Sequence, residues 1–159
     1  MNSFPSIDHN EQAGGNASFK FAPHIWIYAI PLAVSGKVIS DINMNGDYSF
    51  LDGVAALDSI SFEETMTENA AGRIWQQSVK GFYPKYTEDI NALMHEMAAY
   101  RFVLIVKDKN GVSRIAGNEK EPLKFRYQMS SGNRVSDKSG LEFEFSGSCT
   151  APSPVYDPA

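Results

Sequence analysis

Cysteine is nearly absent from this chain of 159 residues. Cys149 stands alone, so an internal disulfide and a cysteine-based zinc site are both excluded, and the chain reads as the product of a reducing compartment. Its neighbours Ser148 and Thr150 supply neither a base nor a positive field, which leaves a bland, partly buried thiol as the expectation. A basic excess is missing as well. Fourteen Lys and Arg stand against nineteen Asp and Glu, a formal charge of -5, which argues against nucleic acid as the main partner because phosphate binding draws on clustered cations. Long apolar runs are also lacking. None approaches the roughly 20 residues that a bilayer span needs, and Met1 to Ser18 has no cationic start followed by an apolar stretch. The expectation is a product made in the cytoplasm with no signal peptide and no membrane partner.

Signatures of catalysis are equally scarce. His95-Glu96 begins like a helical zinc-protease motif, but the residue one turn later is Ala99, so the second ligand is missing. His9 and His24 stand at no metal-binding spacing. Ser146 lies in Phe145-Ser146-Gly147 with Glu144 where a nucleophile elbow requires Gly, and Ser78 has no such frame either. No phosphate-binding loop or dinucleotide fingerprint occurs. The sequence therefore points to no catalytic residue and no cofactor.

What is present is apolar and aromatic. A hydrophobic content of 43% with ten Phe, seven Tyr and two Trp suits one folded domain of ordinary size. Residues 1–18, with Pro5, Gly14 and Gly15 among polar groups and no hydrophobic period, read as a flexible arm. Folded sequence is placed at 19–148. A β-branched and aromatic run spans Lys20 to Ile30, and Pro23 marks it as an edge or early strand because proline has no N–H to give a ladder. Val38 and Ile39 suggest a short strand, whereas Asn43 to Gly53 favours loop. Ser59 to Thr65 and Arg73 to Tyr83 read as strands around a turn at Asn69 to Gly72.

Glu88 to Tyr100 is the one helix. Thr87 is a good N-cap, Glu88 and Asp89 suit the positive end of the dipole, and Ile90, Leu93, Met94, Met97 and Ala98 form one apolar stripe. Phe102-Val103-Leu104-Ile105-Val106 is apolar throughout, as a strand buried on both faces is, and Asn110-Gly111 suits a tight return to Val112–Ala116. Leu123, Phe125, Tyr127 and Met129 alternate with Lys124, Arg126 and Gln128. Leu141, Phe143 and Phe145 alternate with Glu142 and Glu144, so the basic outer row of one strand can pair with the acidic row of the next. These four strands read as an antiparallel meander, with a loop over Ser130 to Gly140. Residues 149–159, with three prolines and no period, read as an extended tail. The fold class is α+β, mainly β: an antiparallel sandwich or barrel with one packed helix.

One local pattern suggests an ion. Asp41, Asn43, Asn45, Asp47 and Asp52, with Gly46 at the sixth position, match much of a calcium loop, in which alternating oxygen groups wrap a hard cation. The stretch before Asp41 is strand-like and short rather than helical, and the twelfth residue is Asp rather than Glu. The preferred expectation is no metal site. A soluble calcium- or ligand-binding β module using the Asp41–Asp52 loop is the alternative function.

A wider likeness lies in the order of the segments. Gly81-Phe82-Tyr83-Pro84, the helix with Leu93 and Met97, and Arg101-Phe102-Val103-Leu104-Ile105-Val106-Lys107-Asp108-Lys109-Asn110-Gly111 are followed by Ile115-Ala116-Gly117 and Glu121-Pro122-Leu123-Lys124-Phe125. Ser131-Gly132 and Leu141-Glu142-Phe143-Glu144-Phe145-Ser146-Gly147 complete the series. Together with Phe19-Lys20-Phe21-Ala22-Pro23-His24-Ile25-Trp26 and Ile30-Pro31, it resembles small tail-associated structural proteins of bacteriophages and prophages of gut Bacteroidales. The resemblance implies a virion component of the tail or the head–tail region, similar to the tail-tube class. It would act in a homo-oligomeric ring with other phage structural proteins as partners, and the tube, terminator, connector and minor tail classes all stay open. On that reading the two ends of the chain supply contacts between subunits.

Overall fold

The computed structural model describes residues 1–5, 16–56, 59–84, 86–108, 110–130 and 139–158; for 16–18 and 130 only the backbone is described. The arm expected over 6–15, with His9, and the loop expected through 131–138 lie outside the described residues.

β8 (Arg101–Lys107) organises the molecule. Phe102, Leu104 and Val106 alternate into one core while Val103 and Ile105 point into a second, which is why the run carries no polar face. β1 (Asn16–Pro23) lies along one edge, with Phe21 opposite Leu104 and Pro23 opposite Phe102. β9 (Ser113–Ala116) and β10 (Leu123–Ser130) share the other edge, because Leu104 also faces Ala116 and Phe102 also faces Leu123. Both run antiparallel to β8. They thus behave as one strand interrupted by the excursion Gly117–Pro122, where Gly117 adopts a φ of 77° and gives its N–H to the Gln77 side chain. The expected meander is corrected here: β9 and β10 follow each other along β8 instead of pairing side by side.

From β10 the sheet continues to β11 (Gly140–Cys149), β7 (Gly72–Tyr83) and β6 (Ser61–Asn69), and from β1 to β5 (Leu51–Ala56). Among the described residues β5 pairs only β1 and β6 only β7, so the sheet does not close into a barrel. As expected of an edge or early strand, β1 is the first strand; it pairs β5 over 16–21 and β8 over 19–23, so at Pro23 only the β8 side carries a ladder. Asp52 and Gly53, expected in a loop, belong to β5, where Gly53 faces Phe19 and a Cβ would collide with its ring.

The main core lies between these strands and α1 (Glu88–Met97). Thr87 caps the helix, its Oγ1 accepting from the Ile90 N–H at 3.4 Å, and Ile90, Leu93, Met94 and Met97 are buried. The helix ends at Met97, the Ala98 N–H closing its last turn on the Met94 carbonyl at 3.1 Å, and turns carry the chain to Tyr100. Phe143 and Phe145 of β11 are buried with Phe125 of β10, whereas Tyr127 and Met129 farther along β10 emerge at the surface. Arg126 faces Glu144 and Gln128 faces Glu142, as the sequence pattern implied.

A second, smaller core covers the opposite face of β8. A 3-10 turn (His24–Trp26), β2 (Ile27–Ala29), β3 (Lys37–Val38) and β4 (Asn43–Met44) lay Ile27, Val38 and Ile42 over Ala22, Val103 and Ile115. The stretch expected as an extended tail contributes to this region. β12 (Val155–Tyr156) lies between β3 and β9, parallel to the first and antiparallel to the second. Pro154 has no N–H, but its carbonyl accepts from the Ile115 N–H at 3.0 Å, so proline content concealed a usable strand end. The described part of the expected arm is packed as well: Phe4 is buried in the main core, and Asn16 to Ser18 belong to β1.

Candidate functional surface

The Asp41–Asp52 stretch is spread over several elements instead of wrapping one point. Asp41 accepts a hydrogen bond from the Tyr156 hydroxyl. Asn43 belongs to β4, and Asn45 turns its amide to the Ile25 carbonyl at 2.9 Å. Asp47 is exposed, and Asp52 in β5 lies 3.1 Å from Lys20 Nζ, across the β1–β5 pair. Three of the five oxygen-bearing side chains therefore already hold neighbouring elements in place. Among the described residues no group of three or more His, Cys, Asp or Glu is arranged to hold a metal ion. The alternation of Asp and Asn arose from turn and strand-end chemistry, which needs the same residue types as a cation loop.

His95 is exposed on α1, and His24 lies in the 3-10 turn. Ser78 and Ser146 face each other across β7 and β11, where the Ser78 hydroxyl donates to Glu144 at 3.1 Å. Cys149 is buried at the end of β11. Burial, reinforced by the carboxylates of Glu121 and Glu64, pushes its thiol up to about 11, which makes it a poor nucleophile at neutral pH.

Sequence reasoning missed a polar brace around that thiol. Glu64 on β6 accepts from the Gln77 amide at 2.9 Å and from the Ser153 N–H at 2.8 Å, while the oxygen of buried Gln77 takes the Gly117 N–H at 2.8 Å. One side-chain chain thus ties β6 and β7 to the excursion and to the segment leading into β12. Glu121 acts nearby. Burial raises its pKa, but hydrogen bonds from the backbone and side chain of Thr150 and from Asn118 outweigh this and hold it below the ordinary value. No spacing in the sequence announces such partners, because they are brought together by strand pairing at long range.

The outer face of β10, β11 and β7 carries a cleft of about 630 Å³ with Lys80, Arg126, Glu142 and Glu144 around Phe82. Its charges alternate in register, Arg126 facing Glu144 and Glu144 facing Lys80, so each sign meets the other. This is a balanced, solvated sheet face rather than a field of one sign.

The feature without such internal compensation is the outside of the 24–50 cover. Leu32 is 91% exposed, Tyr28 75% and Val34 64%, with Ile25 and Ile39 more than half exposed. Val34 opens a turn in which Val34 and Lys37 exchange backbone hydrogen bonds of 2.8 and 3.1 Å and Ser35 and Gly36 both take positive φ. Tyr48 stacks on Trp26 with ring centroids 4.5 Å apart. At the other end of the sheet β6 offers an edge with no further strand among the described residues. Among these residues no helix is long and apolar enough to cross a membrane.

Compared with protein-family models, curated proteins and solved structures, the chain matches none.

Proposed function

We propose that this chain is a structural subunit that works by contact between protein chains rather than by catalysis, in a homo-oligomeric ring of a bacteriophage tail or head–tail region. The observation that carries the reading is the apolar outer surface of the cover from Ile25 to Ile39. Ile25, Tyr28, Leu32, Val34 and Ile39, all within one stretch of chain, each leave more than half of their surface in water, and apolar side chains exposed together are what contact sites use. A turn closed by two backbone bonds presents Val34, which lowers the conformational entropy lost in ordering it against a neighbour. The edge of β6, which has no further strand among the described residues, offers a second contact of different chemistry, the addition of a strand. Two unlike surfaces on one subunit suit head-to-tail association, which closes into rings when the rotation permits. The virion assignment rests on the resemblance of most of residues 19–148 to tail-associated proteins and includes other phage structural proteins as partners.

Size-exclusion chromatography with light scattering tests the reading. The full chain is expected to assemble with rising concentration, and Leu32→Glu with Val34→Glu is expected to keep it monomeric with an unchanged far-ultraviolet spectrum. Mass spectrometry of purified particles tests the assignment: a chain that is monomeric at high concentration and absent from particles overturns it.

A further inference from the structure

Phe4 reaches the centre of the main core from outside the regular sheet. Its ring lies edge-on to four others, with centroids 5.6 Å from Phe19, 5.4 Å from Phe21, 6.0 Å from Tyr83 and 5.6 Å from Phe143. Two glycines make room for the walls of this socket. Phe19 lies over Gly53 and Phe143 over Gly81, each directly opposite its glycine in the strand register, where a Cβ would overlap the ring.

The backbone on either side of Phe4 is held by few groups. Phe4 gives its N–H to the Asp52 carbonyl at 2.8 Å, the Asp52 N–H goes to the Ser3 hydroxyl at 3.0 Å, and the Tyr83 hydroxyl donates to the Pro5 carbonyl at 3.0 Å. Met1 packs beside the same core. Asp52 belongs to β5, whose only strand partner among the described residues is β1. Met1–Pro5 therefore docks beside that edge by one main-chain bond, two bonds through the Ser3 and Tyr83 hydroxyls, and an aromatic anchor in a pocket, the elements that strand addition also uses.

From these contacts we infer that the aromatic socket is an exchange site, able to take Met1–Pro5 from a second copy of the chain in place of its own. The hydrogen bonds and ring contacts just given all join the segment to residues from Phe19 onward, so the same contacts form whichever copy supplies it. In sequence, ten residues separate Pro5 from Asn16. Ten residues span at most about 33–36 Å, comparable with the width of a domain of this size, so an adjoining socket is within reach. Exchange of identical elements leaves the contacts unchanged and adds linkage between copies, a low-cost route to assembly. The inference rests on the proposed association of copies and names one means of it.

The test uses the full chain in two forms, one with Ser3→Cys and the other with Asp52→Cys, both at exposed positions away from buried Cys149. The two forms are unfolded together, refolded together at high concentration, and oxidised. A disulfide joining the two forms, and absent when they are folded separately and mixed only for the oxidation, is the expected result, since collision of exposed thiols would give it in both cases and exchange only in the first. The double variant in one chain reports whether the pair can bond at all. If it closes within the chain while the mixture gives no cross-chain product, exchange is overturned. Should light scattering still find oligomers in that case, association survives by another surface; a strictly monomeric chain removes both proposals.

A second measurement does not depend on disulfide geometry. A labelled peptide of residues 1–10 is titrated by fluorescence anisotropy against full-length Phe4→Ala, with circular dichroism as the folding control. Saturable binding, at least about tenfold weaker when the peptide itself carries Phe4→Ala, is expected of a socket open to a segment in trans. Equal weak binding of both peptides to the folded variant overturns the inference.

Discussion

The two cores of this molecule share β8 but are built on different scales. The main core gathers Phe4, Phe19, Phe21, Phe102, Phe125, Phe143 and Phe145 with Tyr83 and the methionines of α1. The cover core has Ala22, Ile27, Val38, Ile42, Val103 and Ile115, no buried aromatic ring among the described residues, and strands two or three residues long. Apolar burial stabilises roughly in proportion to area, so the first region holds the fold while the second is thin. The same contrast appears on the outside. The main core is closed over by α1, but the cover leaves Leu32, Tyr28 and Val34 in water. Stability and the proposed contact surface are thus divided between the two faces of one strand.

The contrast breaks most readily at Phe143. It is 2% exposed and touches the rings of Phe4, Phe19 and Phe145, so Phe143→Asp forfeits a core aromatic and adds a charge that must be desolvated. Loss of the ring alone costs about 3–5 kcal/mol. Chemical denaturation is expected to find the variant unfolded or severely destabilised, and an unchanged midpoint would remove the assignment of Phe143 to the core.

In the cover, removing residues 151–159 takes β12 from between β3 and β9, including the Val155-to-Gly36 and Asp157-to-Val38 backbone bonds of 2.9 and 3.0 Å. Loss of amide protection confined to residues 34–44 and 113–116, with the main core still protected, is the expected pattern in hydrogen exchange. Uniform loss would mean that the two cores unfold as one unit.

Tyr156→Phe makes the same cut more finely, because it removes only the hydroxyl that meets Asp41 and the Ile42 backbone. The cost is expected near 1 kcal/mol at neutral pH. Burial, opposed by the Ile42 bond and aided by Asp41, raises the Tyr156 pKa in the fold. The contribution is therefore full below the ordinary phenol value of about 10 and is lost as pH rises through the folded value. Glu121 behaves in the opposite sense. Its folded pKa is depressed, so its contribution is present above the ordinary carboxylate value of about 4 and is lost as pH falls through the folded value. Glu121→Gln should flatten the acid limb of a stability–pH curve and leave the alkaline limb alone.

The smallest thermodynamic effect is expected at the most exposed residue. Leu32→Glu touches no core contact and should change stability by less than about 0.5 kcal/mol. Light scattering is where it should register, as reduced assembly at an unaltered thermal midpoint.

Local pattern conveyed much of this fold. The helix was legible because Thr87 and the spacing of Ile90, Leu93, Met94 and Met97 need only neighbours along the chain. β8 was legible because burial on both faces leaves an unbroken apolar run, and β11 because alternation marks one wet face. The step of β10 along the edge of β8 was not, since it depends on an excursion at Gly117–Pro122 whose anchor, Gln77, is forty residues away in sequence. Phe4 and β12 were hidden for a related reason. Their surroundings are polar or proline-rich, and a single anchoring residue or a two-residue ladder produces no period. The candidate ion loop was a pattern of residue types alone, and such a pattern does not say where the side chains go, since Asp and Asn serve turns, caps and strand ends as well as cations. The exposed cover could not be read at all, because Leu32 and Val34 look like any core residues until their burial is known.

The position of β12 sets the order in which the sheet can be completed. Among the described residues β3 has no ladder to the rest of the sheet except through Val155 and Tyr156, more than a hundred residues later in the chain. During synthesis, the segment around Lys37 and Val38 must wait for nearly all the intervening sequence to emerge before it acquires its neighbour. Closing so long a loop for a two-residue ladder is entropically slow, so the cover should be the last region to gain protection in refolding and the first to lose it under load. An intermediate with the aromatic core formed and the cover open would expose Val103 and Ile115, making its lifetime the interval in which the chain is most prone to aggregate.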